Sequence, residues 1–231
     1  MSEITELNGN GKIVVERNEI HVIHLGKNLA FSLSMAGPEN YQNVMTQISQ
    51  KGLLRPTTAQ TFSLVDLALQ NPNEEHCKDI LNKLSSDYFW TSTENLWTPK
   101  EVIVYDNVGG NMPSDRESLL KMAKKGDKSV RIAYRFQIEN QSVEKLLKNP
   151  YMLAQIGDED MLNVVKRVAE GVGNNPPWVW ALDKPSSDVK KYTTLDSGKN
   201  HYRLLNLGGD FPEDYSKGHG YAFGVVMFEE K

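Results

Sequence analysis

The sequence predicts an α+β fold in which antiparallel strands are flanked by helices, and three observations lead there. Strand-like alternation opens the chain at residues 12–25, and two amphipathic helix patterns follow it. Trp90 and Trp180 each close a short aromatic segment, at residues 88–91 and 178–181. Each segment follows a helix-like stretch and precedes an apolar strand-like run about 40 residues later, a repetition that suggests an internal duplication.

The first third predicts a hairpin, a further strand and a helix. Residues 12–15 and 20–25 alternate on either side of a turn-prone stretch, and residues 29–33 form the next strand-like run. A helix is predicted at residues 40–48, because apolar residues recur on one side of it and Gly52 follows.

The middle third carries the signals of helix ends. Thr57 and Gln60 are three residues apart, the spacing at which two side chains cap each other's free backbone amides, so a helix is predicted to start there. The strand predicted at residues 130–139 alternates, with Tyr134 on its apolar side. The other predicted elements are a helix at 74–84, a strand at 101–105 and a helix starting at Ser114 with Glu117 as its capping partner.

The last third repeats this order loosely, which predicts a second unit. Its predicted elements are helices at 142–148 and 158–170 and strands at 178–182, 202–207 and 221–229. The chain is therefore divided into a first unit with the N-terminal hairpin, residues 1–139, and a related second unit, residues 140–231. No low-complexity linker separates them, so they are expected to pack together on a shared core.

Three motifs between Leu53 and Phe136 occur in an order known from one family. They are Leu54-Arg55-Pro56-Thr57-Thr58-Ala59-Gln60 before an amphipathic helix, Tyr88-Phe89-Trp90-Thr91-Ser92-Thr93-Glu94, and Val130-Arg131-Ile132 after a valine-rich strand. In this order the chain resembles C-type-lectin-like domains, and the nearest branch looks like the Lcl C-terminal-type domain of bacterial and viral surface proteins. That branch usually has Glu where Gln60 stands, and it lacks Phe89. The resemblance implies a C-type-lectin-like fold for the first unit, and the suggested duplication extends that expectation to the second.

The resemblance does not extend to the chemistry of other members of that fold. Sugar-binding members coordinate calcium through Glu-Pro-Asn or Gln-Pro-Asp and a Trp-Asn-Asp strand, whereas this chain has Pro38-Glu39-Asn40 and no such strand. Formylglycine-generating members depend on a cysteine pair, and Cys77 is the sole cysteine of this sequence. Neither activity is predicted here.

The amino-acid composition and net charge argue against two classes of binding partner. Hydrophobic residues at 39% and charged residues at 24% are typical of globular proteins, and no stretch approaches the roughly 20 apolar residues of a membrane span. The acidic, polar start lacks a secretory signal, so a soluble, cytoplasmic protein is expected. With 26 basic and 30 acidic residues the net charge is −4, and no broad cationic face is predicted. Nucleic acid and membrane are therefore not expected partners.

No metal or cofactor is predicted. His21 and His24 are three residues apart, so on a strand they would face opposite sides, whereas zinc needs three or four convergent ligands. The Gly-rich stretches at residues 8–12 and 208–210 lack the strand-loop-helix context of a phosphate site, and they are interpreted as turns.

Six residues are predicted to bind a ligand. Trp97 has no periodic partner and is predicted to be an exposed loop aromatic, whereas Trp178 and Trp180 are interpreted as core residues. An irregular crossing at residues 183–197 is expected to be a second recognition loop, because loops on a rigid scaffold carry recognition. The predicted binding residues are Trp97, Lys190, Lys191, Tyr192, Tyr215 and His219.

The sequence favours a non-catalytic binding or protein-interaction module, and it does not identify the protein or small molecule that is bound. Two alternatives stay open. One is a small-molecule enzyme with a composite site at Arg135, Asp210, Asp214 and His219. The other is a viral or mobile-element structural protein that assembles symmetrically. The oligomeric state is not predicted.

Overall fold

The N-terminal part of the protein forms a four-stranded antiparallel sheet. The computed structural model describes residues 4–134, 139–140, 142–172, 178–179, 185–197, 206–210 and 220–226. The strands of this sheet lie side by side in chain order: β1 (Ile4–Glu6), β2 (Lys12–Val14), β3 (Glu19–His24) and β4 (Lys27–Ser32). The predicted hairpin between β2 and β3 is confirmed, and Asn18 makes its turn with a left-handed backbone at φ 54°.

A larger mixed sheet forms the centre of the molecule. Its strands are β5 (Ala36–Glu39), β6 (Phe89–Trp97), β7 (Val102–Asp106), β8 (Val130–Ala133), β9 (Glu139–Asn140), β10 (Trp178–Val179), β11 (Val189–Asp196), β12 (Asn206–Asp210) and β13 (Gly220–Ala222). They lie in the order β5-β13-β6-β11-β12-β10-β9, and β7 pairs with both β6 and β8. The pairs β13-β6 and β10-β12 are parallel, and the other described pairs are antiparallel.

Helices cover both faces of this sheet. They are α1 (Tyr41–Gln50), α2 (Thr58–Gln70), α3 (Glu75–Ser86), α4 (Arg116–Lys124), α5 (Val143–Leu146), α6 (Pro150–Ile156) and α7 (Leu162–Gly171). The central helix is α2, which packs against α3, α7 and β3. Among the described residues, no helix is long and apolar enough to cross a membrane. The predicted α+β class is confirmed.

The start of α2 follows the predicted cap. The Thr57 hydroxyl accepts the Gln60 N–H at 3.2 Å, and the Gln60 side-chain oxygen accepts the Thr57 N–H at 2.9 Å. The start of α4 differs from the prediction, because Asp115 and not Ser114 is the capping residue and accepts the Ser118 N–H at 2.8 Å. A carboxylate suits this position because it also complements the positive end of the helix dipole.

Every residue of β6 is buried, and alternate side chains face opposite sides of the sheet. One side faces α2 and α6, and it carries Phe89, Thr91, Thr93, Asn95 and Trp97. The other side faces α1 and α4, and it carries Trp90, Ser92, Glu94 and Leu96. The strand is thus sandwiched between two helical layers.

Residues 189–196 form a strand, so the predicted recognition loop at residues 183–197 is wrong over this range. β11 lies between β6 and β12, and its pairing with β6 runs from Val189 opposite Trp97 to Leu195 opposite Phe89. Its lysines and threonines gave it the composition of a polar crossing. The buried Thr193 is tolerated in the centre of the sheet because Asn95 and Gln155 form hydrogen bonds with it, and Lys190 pairs with Glu94.

Two smaller differences from the sequence prediction concern the region after β7. Tyr134, placed on the buried side of its strand, is 55% exposed, because β8 ends at Ala133. The helix α6 was not predicted, although Asn149 caps it and Pro150 occupies its first position, where the missing N–H costs nothing.

The large sheet takes strands from both predicted units. From the range 140–231, β11 and β13 pair with β6, which belongs to the range 1–139. The relation between the two units as repeats of each other stays a prediction.

A short segment around Val225 joins the two sheets. The backbone of Val225 exchanges two hydrogen bonds with Leu54, at 2.8 and 2.9 Å, and the Val226 N–H donates to the carbonyl of Ala30 at 2.9 Å. The segment therefore covers the outer edge of β4, which would otherwise present unpaired backbone groups.

Candidate functional site

The candidate site lies where β6 passes between two apolar clusters on one face of the large sheet. Trp90 packs in the first cluster with residues of α1, and Leu96 packs in the second with residues of α4, β7 and β8. Glu94 lies between them on the same face, and its side chain is only 2% exposed. A carboxylate at this depth costs several kcal/mol unless donors compensate it, so its surroundings are informative.

Four donors share the two carboxylate oxygens of Glu94. Oε1 accepts the Tyr41 hydroxyl at 2.9 Å and the Asn107 amide at 2.8 Å, and Oε2 accepts the Tyr105 hydroxyl at 2.8 Å and the Lys190 ammonium at 2.6 Å. A carboxylate offers about four lone-pair sites, so these donors use its whole capacity. The group named here the Glu94 cluster comprises Tyr41, Glu94, Tyr105, Asn107, Lys190 and Tyr192.

The register of three strands places the side chains of the Glu94 cluster next to one another. Tyr192 on β11 and Tyr105 on β7 both lie directly opposite Glu94 on β6. Lys190 lies two residues before Tyr192, hence on the same face, and reaches Glu94 diagonally. The Tyr192 ring stacks on that of Tyr41 in α1, with centroids 3.6 Å apart and planes at 17°.

Lys190 connects the buried carboxylate with the surface. Its side chain is 31% exposed, and its ammonium lies 5.3 Å from the ring centroid of Tyr192 and 6.0 Å from that of Tyr105. Ring faces attract a cation, so these contacts add to the ion pair with Glu94. Nearly a third of this side chain is exposed, so Lys190 reaches the surface while its ammonium is held against Glu94.

Burial and the neighbouring carboxylate raise the pKa of the two tyrosines that donate to Glu94. For Tyr41 and Tyr105 the largest cause is the loss of hydration, and the charge of Glu94 and the hydrogen bond to it act in the same direction. Burial also raises the pKa of Tyr192, and the positive charge of Lys190 opposes that change. All three hydroxyls are therefore protonated at neutral pH.

The opposite side of β6 carries a buried network of amide and hydroxyl side chains. Asn95 donates to the Thr193 hydroxyl at 2.8 Å and accepts from the Gln155 amide at 2.5 Å. The Thr193 hydroxyl in turn donates to the Gln155 oxygen at 3.0 Å. This network links α6 and β11 to β6, and it supports the register that brings Tyr192 opposite Glu94.

The structure brings two of the six predicted binding residues, Lys190 and Tyr192, together in the Glu94 cluster. Two others are not at the surface. Trp97, predicted to be an exposed loop aromatic, is the last residue of β6, is 2% exposed and packs against Tyr151 at 5.3 Å between centroids. Lys191 is 1% exposed, because it points to the side of β11 opposite Lys190. The surface positions predicted for Trp97 and Lys191 are therefore wrong.

The remaining predicted residues are not placed by the structure. Tyr215 and His219 lie outside the described residues, as do Trp180 and, from the alternative enzyme site, Arg135 and Asp214. Asp210 is the last residue of β12.

Sequence reasoning missed four members of the cluster, namely Tyr41, Glu94, Tyr105 and Asn107. One signal was available, because Glu94 is the sole charged residue in the nine residues of β6. A charge inside such a strand predicts a partner, but the partner on β11 is 96 residues away in the chain and the one on α1 is 53 residues away. No local pattern joins them.

Within the described ranges, no group of three or more His, Cys, Asp or Glu side chains is arranged to hold a metal ion. The two histidines singled out in the sequence make separate contacts: Nε2 of His21 lies 2.9 Å from Glu19, and Nδ1 of His24 lies 2.9 Å from the Ser63 hydroxyl. Burial lowers the pKa of His24, and the charge of Asp158 opposes this.

A concavity of 530 Å³ lies apart from the Glu94 cluster, between the tip of the β3-β4 hairpin and α7. The exposed side chains of Ile23 and Leu25 line it, together with an ion pair in which Arg167 donates to both oxygens of Asp66, at 2.8 and 2.6 Å. The Arg167 side chain is 50% exposed, but neither Lys190 nor Tyr192 lines this concavity, whereas both of these predicted binding residues lie in the Glu94 cluster.

Comparison with known proteins supports the fold. No protein-family model matches the chain, and no curated protein matches it. A solved structure described as "Accommodation of massive sequence variation in Nanoarchaeota by the C-type lectin fold" is similar to it, with a TM-score of 0.55 and 12% identity. The match covers 83% of this chain and 95% of the other. The chain therefore has a C-type-lectin-like fold, while its likeness to the Lcl C-terminal-type branch stays a prediction.

Proposed function

We propose that the protein is a non-catalytic binding module and that it binds a protein partner through the Glu94 cluster. The observation that carries this proposal is the difference in burial between the members of the cluster. Glu94 is buried and saturated with donors, whereas Lys190 and Tyr192 on its outer side are partly exposed. The buried carboxylate fixes the position of exposed groups that are well suited to contact a partner.

The saturation of Glu94 speaks against acid–base catalysis at this site. A general base must reach a substrate proton with a free lone pair, and four donors already occupy the oxygens of Glu94. The tyrosine hydroxyls are poor substitutes, since the pKa of Tyr41 and Tyr105 is raised by burial and by Glu94. A binding role, in contrast, requires no free lone pair on Glu94.

The fold is consistent with this role. The similar structure is described as accommodating massive sequence variation on the C-type lectin fold. A scaffold whose surface can vary without loss of its core suits recognition. In this chain, the buried networks on both sides of β6 would hold the scaffold, and side chains at the outer rim would determine the partner.

Affinity capture with two tyrosine variants tests the proposal. Immobilised wild-type protein, Tyr192→Ala and Tyr134→Ala are incubated with a lysate of the source cells, and retained proteins are identified by mass spectrometry. Tyr134 is the matched control, because it is a tyrosine that is 55% exposed and lies outside the Glu94 cluster. We expect a protein that the wild type and Tyr134→Ala retain and that Tyr192→Ala loses.

If the wild type and both variants retained the same set of proteins, the proposal would be contradicted. Thermal unfolding of each variant accompanies the experiment, so that loss of binding is separated from loss of folding. If Tyr192→Ala is unfolded at the assay temperature, Tyr192→Phe and Tyr192→Leu, which keep more of the contact with Tyr41, replace it.

A further inference from the structure

A second cation, Arg55, lies beside the Glu94 cluster. Its carbonyl accepts the Ser92 hydroxyl at 3.3 Å, and Ser92 lies on the same face of β6 as Glu94. Its N–H donates to the carbonyl of Val108 at 3.4 Å, next to Asn107 of the cluster. The positive charge of Arg55 also acts against the burial and the Glu94 charge that raise the pKa of Tyr41. Arg55 is thus within electrostatic reach of the cluster.

The guanidinium of Arg55 is held flat against the backbone of Gly110. A Cβ built on Gly110 would lie 2.5 Å from Nη1, 2.6 Å from Cζ and 2.7 Å from Nη2. Nearly equal distances to these three atoms mean that the planar group packs face-on against this glycine, whose φ is +75°. The N–H bonds lie in the guanidinium plane, so they point sideways, away from the contact.

No carboxylate of the described residues pairs with this guanidinium. Its Nε donates to the Ser49 hydroxyl at 3.3 Å, and the ion pairs of the described residues do not include Arg55. Glu94 has no lone pair left for it. The guanidinium of Arg55 therefore adds a positive charge beside the cluster that no described carboxylate pairs with, although the whole chain carries −4.

We infer that the surface at Arg55, beside the Glu94 cluster, binds a carboxylate side chain of an acidic protein segment, an inference that rests on the proposed function. Arginine matches a carboxylate with two parallel hydrogen bonds, and no described carboxylate pairs with the guanidinium of Arg55. One unpaired guanidinium suits one carboxylate. A nucleic acid would require several phosphate contacts at once, and the net charge of the chain opposes a polyanion.

Selection from a random peptide library displayed on phage tests this inference. Wild-type protein, Arg55→Gln and Arg17→Gln are used as baits. Arg17 is a matched control, since it is an exposed arginine in the connection between β2 and β3, without an ion pair among the described residues. We expect the wild type and Arg17→Gln to enrich peptides containing Asp or Glu, and Arg55→Gln to lose that enrichment.

The affinities of one selected peptide for the wild type and for Arg55→Gln then measure the strength of the proposed contact. A charged hydrogen-bonded contact corresponds to about a 10- to 100-fold loss of affinity for Arg55→Gln. Replacing the acidic residue of the peptide by its amide should cause a similar loss with the wild type and little further loss with Arg55→Gln. Binding should also weaken with added salt.

The outcomes separate this inference from the proposed function. Peptides that depend on Tyr192 but show no acidic enrichment, or that bind Arg55→Gln as well as the wild type, overturn the carboxylate inference and leave the binding role intact. Peptides that bind Tyr192→Ala as well as the wild type, or no enriched peptide at all, count against both. Thermal unfolding of Arg55→Gln confirms that its fold is retained.

Discussion

At the scale of single residues, Glu94 shows how a buried carboxylate can organise a surface. It brings together two tyrosines, an asparagine and a lysine from two strands, a helix and a loop. Each donor replaces a hydrogen bond that water would otherwise make, so the burial of the charge is compensated. Removal of the carboxylate should lower the free energy of unfolding, because the donors then lack their shared acceptor.

Glu94→Gln should therefore destabilise the protein by about 2 to 3 kcal/mol. The amide can accept with one oxygen only, and its own N–H groups point at other donors. Lys190 is partly exposed and can rehydrate, which keeps the loss below that of a fully buried pair. Chemical denaturation measures the free energy of unfolding. The exposed Glu117→Gln serves as control and should stay within about 0.5 kcal/mol of the wild type.

The tyrosines of the cluster predict a loss of stability in alkali. The pKa of Tyr105 is raised in the folded state, so above a pH of about 10 the unfolded chain releases a proton that the folded chain retains. The unfolding free energy should then fall with rising pH, and Tyr105 should contribute about 1.4 kcal/mol per pH unit to that slope. Denaturation at several alkaline pH values should give a correspondingly smaller slope for Tyr105→Phe, and equal slopes for both proteins would refute the assignment.

At the scale of secondary-structure elements, the accuracy of the sequence predictions depends on the distance over which the stabilising contacts act. The cap of α2 was predicted, because Thr57 and Gln60 are three residues apart and meet within one turn. β11 was missed, because its Thr193 and Lys190 bind groups on β6 and α6 that are far away in sequence. The same holds for the candidate site, where Lys190 and Tyr192 were predicted while Tyr41, Glu94, Tyr105 and Asn107 were not.

The hydrogen bonds that hold β11 in the sheet can be tested at Thr193. Thr193→Val keeps the shape but leaves the Asn95 amide and the Gln155 oxygen without this partner, which should cost about 1 to 3 kcal/mol. Thr46→Val on the exposed side of α1 is the matched control, and it should change the unfolding free energy by about 0.5 kcal/mol or less. Equal effects of the two substitutions would show that the network does not stabilise β11.

At the scale of the whole molecule, the large sheet joins the two units that the sequence suggested. β6 from the first is flanked by β11 and β13 from the second, and Glu94 pairs with Lys190 across that junction. The two predicted units are therefore joined by backbone pairing of their strands as well as by side-chain packing.

A fragment that ends at residue 139 should consequently not fold on its own. It would leave β6 without two of its neighbouring strands and Glu94 without its cation. We expect the fragment to show no cooperative thermal transition by circular dichroism, under conditions in which the full chain shows one. A cooperative transition of the fragment would mean that the first unit is independent.

The segment around Val225 has a consequence for the order of events during synthesis. The ribosome makes the N-terminal meander first, yet the outer edge of its strand β4 receives its backbone partners from residues that emerge almost 200 positions later. Until then this edge is open to nascent neighbours or to a chaperone. Completion of this sheet is thus postponed until the segment around Val225 has been synthesised.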